Sequence, residues 1–187
     1  MVGAVLTQNT AWTHVEKAII NLKAVNSLDA ESIVLAQHRH LAAWLRPSGY
    51  FNVKAQRLRS LCRFVLDSGG VEALSAMPTP SLRADLLAVK GVGPETADDI
   101  LLYAFERPVF VIDAYTRRLF SRLGMVSGEE GYEELRLWFE SSLGADVALY
   151  NEYHALIVVQ AKDVCKKRPL CESCVLQKRC AYYSDGK

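Results

Sequence analysis

Apolar residues recur along most of the chain at intervals of three and four, the spacing that aligns side chains on one face of a helix. Trp12, Val15, Ile19 and Leu22 form one such stripe, and Leu58, Leu61 and Val65 another. Similar patterns predict helices near 30–46, 81–88, 94–105, 113–123, 131–143 and 146–163. Glycine and proline punctuate them at Pro47–Gly49, Gly69–Gly70, Pro78–Pro80, Gly91–Gly93 and Gly124. The run Val109-Phe110-Val111-Ile112 has strand-like composition, but no nearby segment offers it a partner. There are no heptads, low-complexity tracts or internal repeats, and the pattern predicts an all-α fold. The opening residues MVGAVLTQNT start on apolar positions with no cap or polar lead. The expectation is a helix whose first turns, and a preceding segment, lie outside this chain.

A chain of 187 residues is long enough for one large or two small domains with real cores. Half its residues are apolar and 23% are charged, as in ordinary globular proteins. No apolar run approaches the ~20 residues that span a bilayer, and no signal peptide is evident. The expectation is therefore a monomer away from membranes, in the cytoplasm and associated with the nucleoid in a prokaryote. The net charge of +1 does not announce a nucleic-acid partner, but the distribution of charge is uneven. Arg46, Lys54, Arg57, Arg59 and Arg63 lie in one segment, Arg117, Arg118 and Arg122 in a second. Lys162, Lys166, Lys167, Arg168, Lys178 and Arg179 crowd the C-terminus, while Glu129, Glu130, Glu133, Glu134 and Glu140 gather elsewhere. Such segregation could give one positive face; taken alone, solvated helix faces explain it as well.

The stretch LLAVKGVGPETADDILLYA is more specific. Gly91 and Gly93 permit backbone conformations closed to other residues, and Pro94 suits the first position of a helix. The result is helix, tight hairpin, helix, with amides facing outward near the glycines, a ready anion site. About twenty residues on, the apolar run stops at Asp113. As an N-cap for the following helix, aspartate needs no further explanation.

Hairpin and aspartate together resemble the helix–hairpin–helix signature of endonuclease III-type DNA glycosylases. AVLTQNTAW resembles the family's segment of polar residues that enter the duplex, and RPSGYFNVKAQRL its next DNA-facing loop. The resemblance covers nearly the whole chain, apart from an N-terminal segment of the family. It implies two helical lobes: a barrel-like bundle with the helix–hairpin–helix over about 1–107 and a metal-bearing lobe over about 108–187, with DNA between them. It implies double-stranded DNA containing a damaged base as partner, with Gly91, Gly93 and Thr96 of the hairpin on a phosphate. Gln8 and Asn9 would fill the gap left by an extruded base; as residues at a helix start they need no such role.

By the same resemblance Asp113 is the catalytic carboxylate. Breaking an N-glycosidic bond builds oxocarbenium character on the sugar, which a fixed carboxylate stabilises. An N-cap is itself rigidly placed, so both readings of Asp113 hold together. Glu95 departs from the bifunctional members, which carry lysine at this place in the hairpin. Lysine attacks the sugar and forms a Schiff base that leads to strand cleavage; glutamate cannot form the imine, although an acid suits a helix's first turn. The expectation is a monofunctional glycosylase. LTQNT before an aromatic residue, RPSGYFN, GVGPETAD and VIDAY most resemble the 3-methyladenine glycosylase branch. Trp12 then matches an aromatic pocket residue able to stack on a flipped cationic purine, and Lys162 a basic residue near that pocket. A core tryptophan and a surface lysine are the plain alternatives.

Cys165, Cys171, Cys174 and Cys180 carry the remaining chemistry. Four thiolates at this density suit a [4Fe–4S] cluster or a four-cysteine zinc site, and a reducing compartment disfavours disulfides. The resemblance implies iron–sulfur, yet the first gap is one residue shorter than is usual in the family, which keeps zinc open. Lys166 and Lys167 in that gap would reach phosphate. Cys62 reads as an ordinary buried thiol. None of His14, His38, His40 and His154 stands at a metal or triad spacing. Two other functions stay open: a glycosylase for oxidised or mismatched pyrimidines, and a non-catalytic DNA-binding metal protein, which an intact Asp113 argues against.

Overall fold

The computed structural model describes residues 1–186, and among these there is no strand. The chain divides into two compact units, Met1–Phe105 and Glu106–Lys187. The first unit contains α1 (Val2–Leu6), α2 (Trp12–Ala24), α3 (Ala30–Leu35), α4 (His38–Trp44), α5 (Phe51–Asp67), α6 (Val71–Ser75), α7 (Thr79–Ala88) and α8 (Pro94–Phe105). Its core takes the predicted stripe Leu58, Leu61 and Val65 of α5 whole, and Val15 and Leu22 of the α2 stripe with Ala18 between them, while Trp12 is exposed and Ile19 only half-buried. Cys62 lies beside them, and burial pushes its thiol up to about 12.

Two expectations for this unit need correcting. The helix over 30–46 is broken, because Ala36 and Gln37 are extended, with ψ of 137° and 139°. The break leaves a carbonyl at Ala36 without its helical donor, and Arg59 Nη2 supplies one at 2.7 Å. Nor does Lys54 belong to a positive face. It is buried, and its Nζ donates to the carbonyls of Leu6 (2.9 Å) and Ser48 (2.6 Å). Burial, and then the nearby Arg57 guanidinium, lower its pKa.

The hairpin helices α7 and α8 are joined by a bidentate ion pair. Arg83 Nε and Nη2 donate to Asp98 Oδ1 and Oδ2 at 2.6 and 3.0 Å, with the Asp98 side chain fully buried. This pair fixes the angle at which the Lys90–Gly93 turn is presented.

The second unit contains α9 (Ala114–Leu123), α10 (Tyr132–Leu143), α11 (Val147–Asp163) and α12 (Ala181–Ser184). The apolar run before α9 is buried without being a strand. Its backbone is satisfied by side chains instead: Phe110 N donates to Glu140 Oε1 at 3.0 Å and Ile112 N to the Tyr132 hydroxyl at 3.4 Å. Phe110 stacks on Phe139 with centroids 4.4 Å apart and meets Tyr150 edge-on at 5.3 Å. An aromatic core of this kind holds the chain entering Asp113 as firmly as a strand partner would.

Removing the carboxylate of Asp98 breaks a bidentate ion pair whose acidic side is fully buried. Asp98→Ala is expected to cost about 3–5 kcal/mol in chemical denaturation; a loss below about 1 kcal/mol would show that the pair does not hold the hairpin.

Candidate active site and nucleic-acid interface

In the first unit, the turn between α7 and α8 is built on one glycine rather than two. Gly91 has φ +93°, and a Cβ there would collide with Arg57 Cγ. Gly93 has no positive φ, and a Cβ there would meet nothing within 4 Å. Gly91 is therefore demanded by strain and contact, whereas Gly93 leaves an open surface in front of the first amides of α8. Those amides, at Glu95 and Thr96, precede the helical ladder and point toward the turn.

Gln8 ties the α1–α2 loop to this turn. Its Nε2 donates to Gly91 O (3.2 Å) and Thr96 Oγ1 (2.9 Å), and its Oε1 accepts from Arg57 Nη1 at 2.5 Å. The sequence places Gln8 and Asn9 together, but the structure separates their circumstances. Neither is helical, both lying in the loop after α1. Gln8 is engaged at both ends of its amide, while Asn9 is exposed in the left-handed region at φ 55°. Thr96 is buried and its hydroxyl is taken by Gln8, so only its backbone amide is presented outward. Trp12 starts α2 and is 52% exposed, with its indole edge over Gly3, so it is no core tryptophan. Glu95 is exposed in the first turn of α8.

In the second unit, Asp113 is the N-cap of α9. Its Oδ1 accepts from Thr116 N (2.7 Å) and Thr116 Oγ1 (2.9 Å). Its Oδ2 faces His154 Nε2 of α11 at 3.6 Å, with only 13% and 10% of the two side chains exposed. Burial works to raise the Asp113 pKa, but His154 and Thr116 together outweigh it and hold the carboxyl below its ordinary value. The folded value lies below the unfolded one, so this carboxylate stabilises the fold above the unfolded pKa. That contribution disappears as pH falls through the folded value. His154 is the site residue that spacing alone missed. The available signal was its position on the buried stripe Tyr150, His154, Ile157, Ala161, where an imidazole interrupts an otherwise aromatic and aliphatic face.

The arginines of α9 do not form the positive face that their clustering suggested. Arg117 Nη1 donates to Glu130 O at 2.7 Å. Arg118 caps the end of α11 through Ala161 O (2.8 Å) and Cys165 O (2.9 Å). Arg122 donates to the carbonyls of Lys166 (2.5 Å) and Lys167 (3.0 Å) and to Cys165 Sγ (3.3 Å), and lies over Tyr182. The acidic group is local in the same way: Glu130 accepts from Ser127 N and Gly128 N, and Glu140 pairs with Arg136. Lys162, Lys166 and Lys167 are exposed.

Cys165, Cys171, Cys174 and Cys180 all line one small cavity together with Arg122 and Leu170. Burial and the neighbouring Cys180, Cys174 and Cys165 raise the Cys171 pKa, a sign that the four thiols feel one another. Gln160 Nε2 donates to Cys174 Sγ at 3.2 Å. Among the described residues, no three His, Cys, Asp or Glu side chains are gathered closely enough to hold one ion. The thiols thus surround a space rather than a point.

The profile of the HhH-GPD superfamily of base excision DNA repair proteins matches residues 2–143. Over 183 residues the chain is 45% identical to a candidate DNA repair glycosylase of Methanocaldococcus jannaschii, covering 96% of this chain and 83% of that protein. Endonuclease III of Sulfolobus acidocaldarius is 27% identical over 188 residues, covering 100% of this chain and 82% of the other. Among solved structures, the H. pylori 3-methyladenine DNA glycosylase bound to 1,N6-ethenoadenine is 34% identical, with a TM-score of 0.76 over 86% of this chain and 82% of that one. A non-covalent endonuclease III–DNA complex, 21% identical, has the same fold, with a TM-score of 0.82 over 99% and 83% of the two chains.

The two hairpin glycines should respond differently to alanine. Gly91→Ala is expected to lower stability by about 1–3 kcal/mol, because it is strained and displaces the stem of Arg57. Gly93→Ala should leave the melting temperature unchanged and weaken duplex binding, since its methyl occupies the open surface. Equal melting temperatures for both variants would contradict the asymmetry.

Proposed function

The chain belongs to the HhH-GPD superfamily of base excision DNA repair proteins, and from that premise we propose a monofunctional glycosylase that removes an N-alkylated purine such as 3-methyladenine from double-stranded DNA. The observation that carries the reading is Asp113, a largely but not fully buried carboxylate whose pKa is held down at a helix mouth. As the C1′–N bond breaks, its electron pair leaves with the base, which departs neutral if alkylation had made it cationic. The positive charge developing on the sugar is stabilised by the carboxylate. A water then attacks C1′ and gives its proton to Oδ2 of Asp113.

Support for the absence of strand cleavage comes from Glu95. It stands exposed in the first turn of α8, where the bifunctional relatives of the resemblance carry lysine, and a carboxylate cannot form an imine. Support for an alkylated purine comes from the likeness to the H. pylori enzyme and from Trp12, whose exposed indole can stack on a cationic base. Gly93, with the amides of Glu95 and Thr96, would receive a phosphate. Asn9 would enter the gap left by the base more readily than Gln8, which must first release three hydrogen bonds. Lys162 would sit near the pocket, and Lys166 and Lys167 on the backbone.

Cys165, Cys171, Cys174 and Cys180 would hold a [4Fe–4S] cluster. Support comes from the four thiols lining one cavity and from the cluster that the resemblance implies; zinc is the alternative that the shorter first gap keeps open. When bound, the group supplies a cross-link for the C-terminal loop.

Duplexes carrying single lesions test the catalytic reading. Wild type should release the alkylated purine and leave strands that break only after alkali. Borohydride should trap little adduct, and Asp113→Asn should keep duplex affinity while losing most base release. Strand breaks without alkali, with trapping, would overturn the reading of Glu95; release of oxidised pyrimidines alone would overturn that of the substrate. Anaerobically purified protein should contain about four irons per chain and lose them in Cys174→Ala but not in Cys62→Ala. Stoichiometric zinc without iron would overturn the cluster.

A further inference from the structure

We propose that His154 is the positioning residue of Asp113, reaching from α11 to fix the second carboxylate oxygen and keep it ready to face the sugar. This deepens the glycosylase reading and rests on it for the sugar, though not for the pairing.

Asp113 has two oxygens in unlike surroundings. Oδ1 is saturated by the backbone and hydroxyl of Thr116, contacts that any good N-cap makes. Oδ2 takes no part in the cap and is the oxygen that faces His154 Nε2 at 3.6 Å. A cap alone would leave Oδ2 to solvent, and a plain N-cap aspartate is usually exposed. Here the side chain is 13% exposed, so the carboxylate has lost most of its water. An imidazole that donates a proton or carries a charge replaces that lost solvation from a fixed direction.

Among the described residues of the unit, the other charged and titratable groups around Asp113 are directed elsewhere. From α9 itself, Arg117 is turned to Glu130 O and Arg118 to the end of α11. Tyr115 lies under the Arg118 guanidinium. From α10, Glu140 accepts from Phe110 N and pairs with Arg136, and the Tyr132 hydroxyl meets Ile112 N. From α11, Tyr150 packs its ring on Phe110. His154 is also rigid, because its neighbours on the stripe, Tyr150 and Ile157, are buried. The distance of 3.6 Å is within ion-pair range and just beyond a direct hydrogen bond, so a small approach on substrate binding would close it.

The sign of the expected effect follows from the opposing influences on Asp113. Without His154, burial acts against Thr116 alone, and the carboxyl titrates at higher pH. Base release, which needs the ionised form, should then lose its acidic side first and recover as pH rises. Three proteins test this: wild type, His154→Gln, which keeps an N–H donor but no imidazole, and His154→Leu, which keeps no donor. Single-turnover base release is measured against pH, and the Asp113 carboxyl is titrated by carbon NMR in the DNA-free proteins.

For His154→Leu, the Asp113 midpoint should rise by about one unit or more, and the acidic limb of the rate profile should move up with it, so that the rate on that limb falls about tenfold or more. Much of that rate should return at high pH, with duplex affinity unchanged. His154→Gln should fall between the two. An Asp113 midpoint that does not move in either variant overturns the proposal, as does a loss of rate that is equal at every pH, which would mark His154 as packing only. If wild type releases no base from any lesion while the midpoint still moves, the pairing stands and the glycosylase reading fails.

Discussion

The structure turns on keeping one carboxylate both buried and charged. Removing Asp113 from water favours its neutral form. The fold answers from two directions, with the Thr116 donors of its own helix and with His154 from a helix packed across it. Everything near Asp113 in its unit follows from that requirement. The chain arrives through a buried aromatic cluster, α9 begins on the aspartate, and α11 is laid so that its single buried histidine meets the second oxygen.

The all-helical class and most helices were legible because their signals are local. Stripes at three and four, proline in a first turn and glycine at an end act within a few residues of themselves. The hairpin and the Asp113 cap were legible for a related reason, being short motifs set by residue type and spacing. What was not legible depended on distant partners. Lys54 and the arginines of α9 look like surface charge in any window of sequence, yet they satisfy carbonyls far along the chain. Charge clustering could not distinguish cations that face solvent from cations that close helix ends. His154 was missed for the same reason, since it lies 41 positions after the residue it serves.

The paired glycines show the complementary error. Sequence treats Gly91 and Gly93 alike, as relief of backbone strain. Only Gly91 has that role; a Cβ at Gly93 would meet nothing within 4 Å. Gln8 and Asn9 diverge likewise, one bound into the hairpin and one exposed. In each pair, neighbours in sequence divide a structural task from an outward-facing one, and composition alone does not record the division.

The contact between Gly91 and the stem of Arg57 has an evolutionary consequence. A Cβ at position 91 would collide with methylene carbons close to the backbone of α5, not with a mobile tip that could swing aside. Position 91 is therefore closed to substitution while a long side chain occupies position 57. Shortening residue 57 would relieve that contact but not the strain of a φ of +93°, and it would remove the guanidinium that holds Gln8. Glycine should therefore persist at position 91 even where residue 57 changes, and lineages that lose the arginine should show compensating change at position 8, a dependence visible in a set of related sequences and invisible in any one of them.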